Sequence, residues 1–255
     1  MIRARKRFGQ HFLHDKGVLE HIVASVAPQP GEHIVEVGPG AGALTAALLR
    51  KIPSIDAIEI DRDLAASLRE RWPDTLRLQE GDALDFDFTR LAAERGGKLR
   101  LVGNLPYNIS TPLLFHFLTH RHAISDLTVM LQKEVVERMA AAPGADDYGR
   151  LTVMLAPWFD IAKLFDVGPG AFQPPPRVWS AVARLRVLET PRFAVPDAYA
   201  PIVARAFSQR RKTLRNSLRG MLVEGAWQHA GVDDGARPET LSPEQFALLA
   251  ARVAA

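Results

Sequence analysis

Apolar positions along the chain follow two rhythms, and the change from one to the other falls near residue 188. Val18, Leu19, Ile22, Val23 and Val26 recur at helical spacing, and Pro28 and Pro30 stop that helix. Short apolar-rich runs then alternate with helical stretches. Residues 34–37, 55–60, 76–80, 99–103 and 127–131 are predicted strands, and residues 43–51, 64–71, 84–93, 113–118 and 134–140 are predicted helical. Residues 151–155 and 181–187 have the same apolar density and are predicted as two more strands. Strands alternating with helices predict a parallel sheet covered on both faces. Beyond Pro191 and Pro196 only helical patterns remain: 199–207, 208–222, a short segment near Trp227, and a last helix to about 253 opened by Ser242-Pro243-Glu244. The expected fold is α/β with a small all-α C-terminal domain. Residues 1–188 form the sheet domain, 1–17 a basic flap on it, and 189–255 the helical domain.

Composition changes this picture little. The 255 residues are 47% hydrophobic and 24% charged, an ordinary globular balance with ample core. The formal net charge is only +3, so placement matters more than the total. Basic residues bunch at 3–7 and 205–219. An Arg-rich surface alone would give such clusters, but bunching is also what a phosphate-bearing partner selects. There is no cysteine, which excludes disulfides, Cys-ligated zinc, iron–sulfur clusters and a thiol nucleophile. No apolar run approaches a membrane span, and no apolar segment of a secretory signal follows the basic N-terminus. A cytoplasmic protein with no membrane contact is the expectation.

The candidate chemistry lies where predicted strands end, which is where open α/β sheets bind ligands. Glu36-x-Gly38-x-Gly40-x-Gly42 joins a strand to a helix. It suits a plain turn, a dinucleotide phosphate loop or a third option. The dinucleotide fingerprint spaces its glycines G-x-G-x-x-G, and here the third comes one residue early. An acidic residue before the loop also favours a cationic ligand over a pyrophosphate. Both points favour S-adenosyl-L-methionine, which carries an amine beside a sulfonium. Glu59 ends the second strand and suits two ribose hydroxyls, or is a surface carboxylate beside Asp61 and Asp63. Asp82, after Gly81, suits an adenine amino group, or is a helix N-cap.

Asn104-Leu105-Pro106-Tyr107 follows the fourth strand. Asn and Pro suit any strand-end turn. The set also offers a side-chain amide oxygen, a backbone carbonyl and an aromatic face, the groups needed to hold a flat base by its exocyclic amino group. Accepting both N6 hydrogens of an adenine at Asn104 Oδ1 and the Leu105 carbonyl frees the nitrogen lone pair for attack. Phe172, which opens the Pro-rich loop before Ser180, either stacks on that base opposite Tyr107 or belongs to the core. Arg211, Arg215 and Arg219 form an i, i+4 stripe on the predicted 208–222 helix. That stripe is either a solvated face or a phosphate track, and the scarcity of interleaved acids favours the track. Arg3, Arg5, Lys6 and Arg7 would add a second contact. His116 and His120 share a helix face, but no carboxylate completes a metal motif there, and no metal is expected.

With these residues in place, the chain resembles the ribosomal RNA adenine N6,N6-dimethyltransferases, in particular their small-subunit branch. The resemblance rests on Phe8-Gly9-Gln10-His11-Phe12-Leu13, Glu36-Val37-Gly38-Pro39-Gly40, Glu59-Ile60-Asp61, Gly81-Asp82-Ala83, Asn104-Leu105-Pro106-Tyr107, Gln132-Lys133-Glu134, Tyr148-Gly149-Arg150-Leu151, Phe172-x-Pro174-x-Pro176-x-Val178-x-Ser180 and Arg210-Arg211-Lys212. It implies a class I, Rossmann-like methyltransferase sheet and dimethylation of two adjacent adenines near the 3′ end of small-subunit RNA during ribosome assembly. Carried over by position, it implies cofactor contacts at His11, Leu13, Gly38, Gly40, Glu59, Asp82 and Asn104. It implies catalytic roles for Asn104, Leu105, Pro106, Tyr107 and Phe172, and RNA contacts at Arg210, Arg211, Lys212, Arg215 and Arg219. The partner implied is the small ribosomal subunit, and a monomer is the simplest expectation. The alternatives are an assembly factor whose main role is binding the immature subunit, or a methyltransferase of large-subunit RNA. A DNA adenine methyltransferase would more often carry a second Pro in place of Leu105.

Overall fold

A seven-stranded sheet organises the first half of the chain in a computed structural model that describes residues 10–209 and 212–254. The basic tail with Phe8 and Gly9, and both Arg210 and Arg211, lie outside the described residues. The elements up to the last strand are β1 (Phe12–Leu13), α1 (Lys16–Val26), β2 (His33–Val37), α2 (Ala43–Leu48), β3 (Ile55–Glu59), α3 (Arg62–Arg71), β4 (Leu76–Glu80), α4 (Phe88–Arg95), β5 (Leu99–Asn104), α5 (Ser110–Thr119), β6 (Ile124–Gln132), α6 (Lys133–Met139), α7 (Arg150–Leu155), β7 (Phe159–Val167), β8 (Phe172–Gln173) and β9 (Ser180–Val187). The helices that follow are α8 (Tyr199–Ala206), α9 (Leu214–Ser217), α10 (Ala226–Ala230) and α11 (Pro243–Ala250).

The strand order is β4-β3-β2-β5-β6-β9-β7. Strands β2 to β6 pair in parallel. The sheet is not wholly parallel, however, because β9 runs antiparallel to β6. Every residue of β3 is buried, as expected of a strand covered on both faces, and its buried Asp56 is paired with Arg77 and Arg95. β2 has β3 on one side and β5 on the other, so the chain direction of the crossovers reverses there. The loops after β2 and β5 therefore splay apart and open a crevice at the strand C-termini. Gly103 lets these two strands approach closely: a Cβ on it would lie 2.5 Å from Val37 O.

Two predicted elements differ, and one strand was not predicted. Residues 151–155 are helical, forming α7, with Leu151, Val153 and Leu155 buried. A five-residue apolar run buried all round carries no period, so strand and helix look alike in sequence. β7 has no counterpart among the predictions, because Asp160, Lys163 and Asp166 break its apolar pattern at the sheet edge. The 208–222 helix is reduced to α9. Leu214 and Arg215 donate their backbone N–H groups to Ala236 O and Asp234 O, so no preceding helical turn can receive them.

The chain divides into two units, Met1–Val136 with Ile161–Val187, and Glu137–Asp160 with Leu188–Ala255. The boundary expected at 188 is thus one of three crossings. Residues 137–160 join the helical unit because Tyr148 and Val153 belong to its core together with Tyr199, Ile202, Leu214 and Phe246. Tyr148 Oη donates to Leu241 O and Tyr199 Oη to Val153 O. Ser242 caps α11 through the Gln245 N–H, and Gln245 returns the bond in a capping box. No helix among the described residues is long and apolar enough to cross a membrane.

Candidate active site

A cavity of about 330 Å³ occupies the crevice at the ends of β2, β3, β4 and β5. Ten of the residues singled out in sequence line it: His11, Leu13, Gly38, Gly40, Glu59, Asp82, Asn104, Leu105, Pro106 and Tyr107. Four sheet strands and β1 thus deliver these side chains to one place.

The glycine loop follows β2. Gly38 has φ 70°, and a Cβ there would meet nothing within 4 Å, so its backbone is bare toward a ligand. Glu59 is 4% exposed, which excludes the surface-carboxylate alternative. Its Oε2 accepts the Gly40 N–H and its Oε1 the Asp61 N–H, both at 2.9 Å. Glu59 therefore holds the glycine loop to the end of β3. Asp82 Oδ1 accepts the Leu84 N–H at 2.9 Å and turns the chain after β4. It is not a helix N-cap, since α4 begins later and is capped by Asp87.

Glu36 also lines the cavity. It is 2% exposed, and Thr45 Oγ1 donates to its Oε2 at 2.6 Å. Burial pushes its carboxyl up to about 7; the Thr45 bond opposes this and the nearby Glu59 charge adds to it. Burial raises Glu59 too, against the backbone N–H bonds from Asp61 and Gly40. Two buried carboxyls that resist joint ionisation form a site that a cation stabilises.

Asn104 ends β5. Its Nδ2 donates to His11 O at 2.8 Å, which orients the amide and leaves Oδ1 for an incoming donor. Leu105 N donates to Met130 O at 3.0 Å, and Pro106 O is taken by Ser110 Oγ and Ile109 N. The Leu105 carbonyl accepts none of these bonds. Tyr107 Oη bonds Ser180 Oγ at 2.5 Å, and the His11 ring stacks on the Tyr107 ring at 5.5 Å between centroids. Burial raises the Tyr107 phenol, which stays neutral.

Phe172 is not in this group. It is 2% exposed and sits in the core with Leu13, Leu19 and Val182. β8 pairs with β1, and its alternation points Phe172 inward and Gln173 outward. The expected stacking role is therefore corrected to a packing one. Ser180 was not among the expected site residues, and Glu36 was singled out only for its charge and not as a direct contact. Glu36 was visible as an acid before the glycine loop, whereas the bond from Ser180 to Tyr107 has no sequence signal. His116 Nε2 meets Phe86 O and His120 Nδ1 meets Thr89 Oγ1, both at 2.8 Å.

Among the expected RNA contacts, Lys212, Arg215 and Arg219 lie in the helical unit and are exposed. Arg215 is engaged: its guanidinium forms two bonds to the Asp234 carboxylate, at 2.6 and 2.7 Å. Among the described residues the helix spans only Leu214–Ser217, so Arg215 and Arg219 do not share a helical face, and Arg211 lies outside the described residues.

Comparison with known proteins follows the same lines. The family profile described as ribosomal RNA adenine dimethylase matches residues 1–255. A protein of Pseudomonas putida named ribosomal RNA small subunit methyltransferase A is 50% identical over 99% of this chain and 96% of its own length. Its namesake in Acinetobacter baylyi is 51% identical over 97% of this chain and 91% of its own. Among solved structures, a dimethyladenosine transferase from Plasmodium falciparum superposes with TM-score 0.78 at 25% identity, covering 95% of this chain and 99% of that one. The 23S ribosomal RNA methyltransferase ErmE superposes with TM-score 0.70 at 30% identity and the same coverage.

Proposed function

The chain belongs to the ribosomal RNA adenine dimethylase family, and from that premise we propose that it transfers methyl groups from S-adenosyl-L-methionine to N6 of two adjacent adenines near the 3′ end of small-subunit ribosomal RNA. We place this work in the cytoplasm, on a subunit still being assembled. The observation that carries the reading is that Glu36, Glu59, Asp82 and Asn104, from four neighbouring strands, line one cavity with a bare glycine backbone.

The donor set fits the cofactor. Glu36 supplies negative charge for an amine, and Glu59 keeps a lone pair on each oxygen for a ribose hydroxyl beyond the two backbone bonds it accepts. Asp82 keeps Oδ2 for an amino group, and Gly38 leaves room for close approach. When bound, the cofactor supplies an electrophilic methyl group on a sulfonium. Asn104 Oδ1 and the Leu105 carbonyl accept the two N6 hydrogens and favour a pyramidal nitrogen whose lone pair has left the ring. His11 O keeps the Asn104 amide from flipping. Tyr107, held by Ser180 on its hydroxyl and by His11 on its ring, offers its remaining face to the base. No strong base is needed, because N6 sheds a proton only after it has gained a methyl group. Positioning and electrostatics supply the rate.

The test is to incubate the protein with unmethylated small subunits and the methyl donor, then digest the RNA and map modified nucleotides by mass spectrometry. Dimethyladenosine at adjacent positions near the 3′ end is expected. Its absence, or its appearance only in large-subunit RNA or DNA, overturns the reading.

A further inference from the structure

Arg177, Val178 and Trp179 are consecutive exposed residues just before β9. Trp179 is 56% exposed and Val178 44%, in a chain that buries most of its large apolar side chains. Its backbone is nonetheless anchored and its ring has a neighbour. The outer atoms of its ring approach Gly168, where a Cβ would come within 3.6 Å of them. Trp179 O accepts the Lys133 N–H at 2.9 Å. The outer atoms of the indole thus lie near the Gly168 backbone while more than half of the residue remains in water. The next residue, Ser180, is fully buried and bonds the Tyr107 hydroxyl. Trp179 therefore stands one Cα step, about 3.8 Å, from the residue that fixes the ring proposed to hold the target adenine. Arg177, two residues upstream, is exposed and has no hydrogen bond or ion pair among the described residues.

We infer that Trp179 is a stacking platform for an unpaired RNA base next to the target adenine, with Arg177 neutralising the adjoining phosphate. The inference rests on the methyltransferase reading of the cavity. A base removed from its stack for chemistry leaves its neighbour unstacked as well, and an indole face restores that contact without reading sequence. An exposed cation next to an exposed aromatic ring suits the strand's backbone and base together. A protein surface or a second copy of the chain would use the apolar area but would leave Arg177 without a role.

The test compares wild-type protein with Trp179→Ala and Trp179→Phe on unmethylated small subunits, with thermal melting as a check on folding. The alanine variant is expected to raise the KM for subunits by roughly 5- to 150-fold with kcat at saturation nearly unchanged, and the phenylalanine variant to recover most of the loss. Affinity for the cofactor should stay the same. In a second arm, a short oligoadenylate should quench the emission present in wild type and missing in Trp179→Phe. An unchanged KM in the alanine variant overturns the inference. So does a raised KM without quenching by the oligonucleotide, which would place protein on the indole instead. If wild type makes no dimethyladenosine, the methyltransferase reading fails, while the quenching arm still reports on the platform.

Discussion

Asn104 acts through both ends of one amide. Nδ2 is held by His11 O, so Oδ1 is presented in a fixed direction. Replacing Asn104 by Ala removes the acceptor and the tether together. Kcat is expected to fall by about 10²- to 10³-fold, the cost typical of losing one positioned polar group at a reacting centre. Subunit affinity should persist, since the exposed cations are untouched; single-turnover kinetics and a binding titration separate the two. Glu36 makes a different prediction. Burial lifts its folded pKa to about 7 from the ordinary 4.5, so between these values the folded protein binds a proton that the unfolded chain has lost. Stability must therefore fall as pH rises through that window, and level off above it. Glu36→Gln keeps an acceptor for Thr45 but has nothing to ionise. Without cofactor, it should exceed wild type at pH 8 by roughly 2–3 kcal/mol in urea unfolding and converge with it near pH 4.5. Cofactor binding by calorimetry should show the reverse trend: wild type tightens between pH 6 and 7.5, and the variant is weaker and flat.

The site depends on how closely β2 and β5 approach at the crevice. Gly103→Ala places a methyl group 2.5 Å from Val37 O, a backbone atom that cannot rotate away. The strands must shift, at a cost of about 1–3 kcal/mol, read as a lower urea midpoint with unchanged slope. Asn104 is the next residue, so kcat should fall with stability. Elements of this central kind were legible in sequence. Residues 34–37 and 55–58 are mostly apolar because both faces of the sheet are covered, and each admits one buried carboxylate, Glu36 bonded by Thr45 and Asp56 paired with Arg77 and Arg95. Elements whose identity depends on distant partners were not. Residues 151–155 are helical because of what surrounds them in the helical unit, and α9 is short because residues 234–236 take its first N–H groups. Phe172 carried two readings because the Pro-rich loop does not reveal that β8 pairs with β1. The Ser180 hydroxyl meets Tyr107 across 73 residues, a distance no local pattern spans.

A net charge of +3 over 255 residues gives weak attraction to RNA as a whole, so affinity must come from particular exposed cations. The structure separates these by their partners. Lys212 and Arg219 are exposed, with no ion pair or hydrogen-bonding side-chain partner among the described residues, whereas Arg215 is neutralised by Asp234. Asp234 lies nineteen residues away, so a count of acids near the arginines misses it. A guanidinium already neutralised by a carboxylate does not neutralise an RNA phosphate, so it displaces none of the cations condensed on the RNA. The slope of log affinity against log salt should therefore become shallower by about 0.7–0.9 in Arg219→Ala and stay unchanged in Arg215→Ala. Asp234→Asn releases the guanidinium and should steepen the slope by about the same amount, raising low-salt affinity for unmethylated subunits. Filter binding across a salt series measures all three. A slope that drops in Arg215→Ala would mean that RNA displaces Asp234 on binding, and the phosphate contacts of the helical unit would then have to include that pair.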